Sequence, residues 1–318
     1  MDIHSFVFLK KGIGVAVFAL CSALLAAGGS PDRTQSAAAG AGTGFSEHRP
    51  VKVFVTIGPQ RYFVERIGGT RVTVEVLVAP GRDPHTFDPS PRQVSRLSSA
   101  DVYFTIGMPF EKGLVPKLRQ ANPLLPVIDT LAGLDLLYGV PHYHYDEAGN
   151  AILHGADEPD THVWLGLREV RSQIAVIRDA LIARDPAGEE VYRTRWQAFD
   201  NEIQAMDSRF AGMLAPLRGR SILVFHPAFA YFVNSYGIRQ LAIELEGKQP
   251  SPRHLERIID QALRDGARTV FTQSEFPLRS AEIIAQAVGG TVIVLNPLDP
   301  DWMQVMETLA SAIAAGAF

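Results

Sequence analysis

A chain of 318 residues, 47% of them hydrophobic and 20% charged, can bury two cores of ordinary size, which excludes disorder beyond its ends. The formal net charge of -4 gives no basic field for nucleic acid or anionic lipid, so neither is an expected partner and a small or cationic ligand fits better. The one cysteine, Cys21, lies near the N-terminus, so no disulfide is expected and the fold must rest on core packing.

Lys10 and Lys11 precede an apolar run from Ile13 to Ala27, followed by Gly28-Gly29-Ser30-Pro31, the order of a secretory signal peptide over 1–28. A membrane anchor competes with that reading, but the run is about 15 residues against the roughly 20 needed to span a bilayer. The chain is therefore expected outside the cytoplasm, periplasmic or otherwise extracytoplasmic, with no membrane insertion after cleavage. Lipid attachment at Cys21 is the alternative; against it, Phe18-Ala19-Leu20 lacks the small residue usual just before such a cysteine. Residues 29–50, rich in Ala, Gly, Ser and Thr, read as a flexible leader.

From Val51 the chain alternates strand-like runs with helical patterns, which predicts an α/β fold of two open lobes with mostly parallel sheets. Strands are expected at 51–57, 72–78 and 101–106, and helices at 59–67 and 90–98, the latter started by Ser90-Pro91. The first lobe runs over 51–185 and includes a polar, histidine-containing surface loop at 139–161. Helices follow at 168–183 and from Ala187 to about Leu214; the second, some 27 residues and about 40 Å long, bridges the lobes over 186–216. The second lobe, 217–318, has strands at 221–225, 238–242, 269–272 and 291–295, with helices at 228–235, 252–265 and 280–288.

His85 falls just past the second strand, His226 ends the run Ile222-Leu223-Val224-Phe225, and His162 lies where the polar loop gives way to helix. In open α/β sheets the carboxyl ends of strands face the binding crevice. Taken singly, each histidine reads more readily as a hydrogen-bonded partner in a packed region than as a ligand. Their shared position at element ends points instead to one site, and three neutral imidazoles favour zinc over calcium, magnesium or manganese.

The stretches Gly81-Arg82-Asp83-Pro84-His85-Thr86-Phe87-Asp88-Pro89, Thr161-His162-Val163-Trp164-Leu165 and Phe225-His226-Pro227-Ala228-Phe229 resemble the zinc and manganese solute-binding proteins of bacterial ABC transporters, over nearly the whole mature chain. Gly107-Met108-Pro109-Phe110-Glu111 and Leu295-Asn296-Pro297-Leu298 fit the same resemblance in the same order. It implies two α/β lobes joined by one long helix, and a monomeric binding protein that captures Zn²⁺ and passes it to a membrane permease. His85, His162 and His226 would be the ligands; manganese members usually carry a carboxylate where this chain has His226, which marks it as the zinc type.

The departure is at the fourth position, where many relatives have aspartate and this chain has Asn296. Asn296 is expected to line the pocket, with Asp299, Glu275 or water as other candidates for the fourth ligand. His142, His144 and His154 resemble a short histidine-rich loop and form a possible secondary metal site with Asp146 or Asp157. Three alternatives stay open: manganese or iron as cargo, a secreted zinc hydrolase, and an adhesin or metal-buffering protein built on the same fold. An enzyme is not expected, because no HExxH motif or suitably spaced general base is present.

Overall fold

The computed structural model describes residues 49–138, 142–145, 151–154, 159–244, 251–274, 276 and 278–316. The signal-peptide reading, the leader up to residue 48, Glu275, and the side chains of His142, His144 and His154 lie outside the described residues. At the leader's end, Arg49 pairs with Asp101 at 2.8 Å.

Short runs dominated by β-branched and aromatic residues, the types that fit a pleated and buried surface, form the first sheet. Its strands are Val51–Val55 (β1), Val72–Val76 (β2), Val102–Thr105 (β3) and Val127–Asp129 (β4), all parallel, in the order β2-β1-β3-β4. The crossovers run through Gly58–Gly68 (α1), Pro91–Leu97 (α2) and Glu111–Ala121 (α3). At the start of α2, Ser90 accepts from the Gln93 amide and Pro91 occupies the first turn. The segment α3-β4 was not among the expected elements: α3 holds Gly113 and Pro116, both helix-breaking signals, and β4 is only three residues long.

The polar stretch expected to be a loop contains a two-stranded antiparallel ribbon, His142–Tyr145 (β5) with Ala151–His154 (β6), in which His142 is in register with His154. Tyr143, Tyr145 and Ile152 are strand-favouring types, a signal that the abundance of charge and histidine hides.

Leu167–Arg184 (α4) and the 26-residue Glu189–Leu214 (α5) follow, α5 reaching roughly 39 Å at 1.5 Å per residue. Near its start Tyr192 donates to Asp185, which pairs with Arg71 of the first lobe; further along, Asp207 accepts from Tyr236, and Phe210 packs on Phe232 of the second. One long helix therefore joins the two lobes. The second sheet consists of Ser221–Val224 (β7), Arg239–Ala242 (β8), Thr269–Gln273 (β9) and Thr291–Leu295 (β10), parallel in the order β10-β9-β7-β8. Read from the other edge, that order repeats the topology of the first sheet without any sequence repeat. Its helices are Ala230–Ser235 (α6), Pro252–Asp265 (α7), Leu278–Ala287 (α8) and Trp302–Gly316 (α9).

The main core runs without a break from Val53 and Phe63 through Phe199 and Phe210 of α5 to Phe232 and Trp302. Trp302 meets Phe63 of α1 at 5.3 Å and Phe199 at 6.2 Å, so α9 ties the second lobe back to the first. Among the described residues no helix is long and apolar enough to cross a membrane.

Candidate metal centre

His85 is set by the turn after β2. Arg82 donates to the Ala79 carbonyl at 3.2 Å and Gly81 has φ 74°, so Pro80-Gly81 supplies the left-handed third position that favours glycine in such a turn. Asp83 then accepts from the His85 amide at 2.8 Å and from the Thr86 hydroxyl at 3.1 Å, fixing the backbone that presents the imidazole. Asp160 does the corresponding work for His162 and more: its Oδ1 accepts from the His162 amide at 2.9 Å and lies 2.7 Å from Nδ1 of the same ring. Tyr231 of the second lobe donates to the Asp160 carbonyl at 2.8 Å, holding this loop across the crevice. His226 follows β7 by two residues; its Nδ1 is 2.7 Å from Oε1 of Glu244, a carboxylate 3% exposed, and Phe276 stacks on its ring at 5.2 Å.

The three rings turn their remaining nitrogens toward one point. Nε2 of His162 is 3.2 Å from Nε2 of His85 and 3.1 Å from Nε2 of His226, and all three donor atoms lie within 4.8 Å of one another. A tetrahedral ion with bonds of about 2.0–2.1 Å separates its donors by roughly 3.3 Å, close to this spacing. The carboxylates decide the tautomers: with Nδ1–H donated to Asp160 and to Glu244, His162 and His226 present Nε2 as the lone-pair nitrogen. Two lone pairs facing each other at 3.1 Å repel unless a cation lies between them. Burial, reinforced by the neighbouring His162 and His226, lowers the pKa of His85 from 6.5 to about 4, so this imidazole is neutral and ready to bind metal at physiological pH.

The expected fourth residue is elsewhere. Asn296 is exposed, its Oδ1 accepts from the Leu298 amide at 3.1 Å, and it is not among the residues lining the pocket. The reason is local: an Asn-Pro turn satisfies its own side chain two residues on, turning the amide away from the cluster. Pro297 and Leu298 line the pocket instead, and the Pro297 carbonyl accepts from Trp164 Nε1 at 2.8 Å. Asp299 is also spent on a turn, accepting from the Asp301 amide at 2.9 Å. Sequence reasoning missed Asp160 and Glu244 as partners of the histidines. The first had a signal, since Asp83-Pro84-His85 and Asp160-Thr161-His162 share the same Asp-x-His spacing. Glu244 had none, being brought to His226 only by the pairing of β7 with β8.

The fold and the cluster define a two-lobed binding protein for a divalent metal ion. The chain belongs to the family described as zinc-uptake complex component A, periplasmic (ZnuA), whose sequence profile matches residues 53–316. A crystal structure of ZnuA is similar at 35% identity and a TM-score of 0.74, covering 84% of this chain and 99% of that one. A putative metal-binding protein of Chlamydia muridarum is 27% identical over 267 residues, 83% of this chain and 90% of its own. The manganese-binding lipoprotein MntA of Halalkalibacterium halodurans is 27% identical over 242 residues, 75% of this chain and 73% of its own. Members of the family are solute-binding proteins of metal ABC transporters and are not enzymes.

The carboxylate behind each histidine carries a prediction. Glu244→Gln keeps the size but removes the charge, and is expected to weaken metal binding by roughly 10–100-fold, the usual cost of losing an outer partner. Competition titration against a chelator measures it, and an unchanged affinity would contradict the orienting role.

Proposed function

We propose that the protein captures Zn²⁺ outside the cytoplasm between its two lobes and delivers it, as a monomer, to the permease of an ABC transporter. The observation that carries this reading is the convergence of three imidazole nitrogens, two of them held as lone-pair donors by Asp160 and Glu244. Zinc suits such a set: imidazole is a favoured ligand for it, whereas manganese draws more on carboxylate, carbonyl and water. Among the described residues no carboxylate joins the three histidines as a ligand. The two carboxylates behind the rings balance the charge of a divalent ion and leave the loaded pocket close to neutral, which favours holding it in a buried place.

His142, in register with His154, and His144 supply a second and weaker metal site on the β5-β6 ribbon, from which ions pass to the main pocket. The test is a competition for cargo. Purified protein, stripped of metal and offered equal zinc and manganese, is expected to retain one tightly held zinc and one weaker equivalent by elemental analysis and titration. Preferential retention of manganese would overturn the choice of cargo.

A further inference from the structure

Three imidazoles leave a zinc ion one ligand short of its usual four, and with Asn296 facing away that place falls to water or to another wall of the pocket. The second sheet offers a place. Its chain order turns back between β7 and β9, which makes the carboxyl ends of those two strands its topological switch point, where open α/β sheets bind their ligands. Val224 of β7 is in register with Phe271 of β9, and two residues further along each strand come His226 and Gln273. Gln273 lines the same pocket as the three histidines and is 3% exposed. Its side-chain Oε1 is buried without a hydrogen-bond partner among the described residues. Buried amide oxygens are nearly always satisfied, so an orphaned one in the wall of a pocket calls for a missing partner.

The corresponding switch point of the first sheet is already filled. There Glu111 accepts from the amides of Ile106 and Met108, at 3.2 and 3.0 Å, and from the hydroxyl of Thr56, so the crevice between β1 and β3 is plugged by the protein's own groups. Among the described residues, only the second sheet keeps an open acceptor at this position.

We infer that Gln273 supplies the fourth ligand of the captured ion through Oε1, an assignment that rests on the zinc-capture reading above. A neutral amide is consistent with the charge at the site. Asp160 and Glu244 already match the two positive charges of the ion, and a fourth, anionic ligand would leave the buried pocket with net negative charge. A neutral oxygen is also the weaker ligand, which makes this the position at which the shell opens first when the ion is handed on.

Electron paramagnetic resonance of the Co²⁺-substituted protein in ¹⁷O-enriched water reads the fourth position directly. The wild type is expected to show no broadening from a bound water, Gln273→Leu to show it, and Gln273→Glu, which keeps an oxygen ligand, to lack it. Zinc affinity is expected to fall at least about tenfold in Gln273→Leu. Water broadening in the wild type, which needs no variant to fold, or unchanged zinc affinity in Gln273→Leu, overturns the role of Gln273 while leaving the capture site standing. Wild-type protein that takes up neither zinc nor cobalt overturns the capture site itself, and this assignment with it.

Discussion

Replacing His162 by alanine is expected to lower zinc affinity by more than about 100-fold, beyond what loss of an outer partner alone costs. His162 is the middle member of the cluster, its Nε2 lying 3.2 Å from that of His85 and 3.1 Å from that of His226. Its removal takes away a ligand and also leaves the Asp160 carboxylate without the imidazole it holds, so the remaining two nitrogens face a wider and wetter gap. His162 is 7% exposed, so the variant also leaves a cavity, and the melting temperature of the metal-free protein has to be measured beside the affinity. A folded variant with near wild-type affinity in competitive titration would remove the three-histidine site from consideration.

Trp302→Ala is expected to give the largest loss of stability of any single change discussed, about 3–5 kcal/mol, as for other large aromatic truncations in a packed core. Trp302 is fully buried, its ring meets Phe63 and Phe199, and its Nε1 donates to the Trp164 carbonyl. The variant loses this packing and also leaves that carbonyl unpaired. For a domain of this size the loss corresponds to a fall in melting temperature of roughly 10 °C. Zinc affinity should fall less than in His162→Ala, because Trp302 acts on the site only through the backbone at Trp164, two residues beyond His162. Calorimetry of the two metal-free variants separates the cases, and a melting temperature within about 2 °C of wild type would contradict the account of the shared core.

Much of the fold was legible because strand periodicity and helix starts are local. The strand at 291–295 and the helix at 252–265 lie where the pattern places them, and Ser90-Pro91 opens α2 as its residue types require. The misses were also local in origin. Pro116 disguised α3, and the charge and histidine between residues 139 and 161 disguised the β5-β6 ribbon. At the site, the three histidines could be picked out because each follows a strand or opens a helix, and the structure brings their nitrogens together. Asn296 was misplaced because resemblance supplies a position in the chain, while the direction of a side chain is settled by its nearest hydrogen-bond partner, here the Leu298 amide.

By itself the sequence determined the alternation of strand and helix, the long bridging segment and the types of ligand on offer, since these depend on residue chemistry and on spacing within a few turns. Only the tertiary structure decided that Glu244 stands behind His226, that α9 returns to pack on α1, and that Gln273 comes level with His226 at the pocket. Those contacts join residues 18 to more than 200 positions apart, and no local rule fixes them; they follow from the order of strands in each sheet and from one core shared by both lobes.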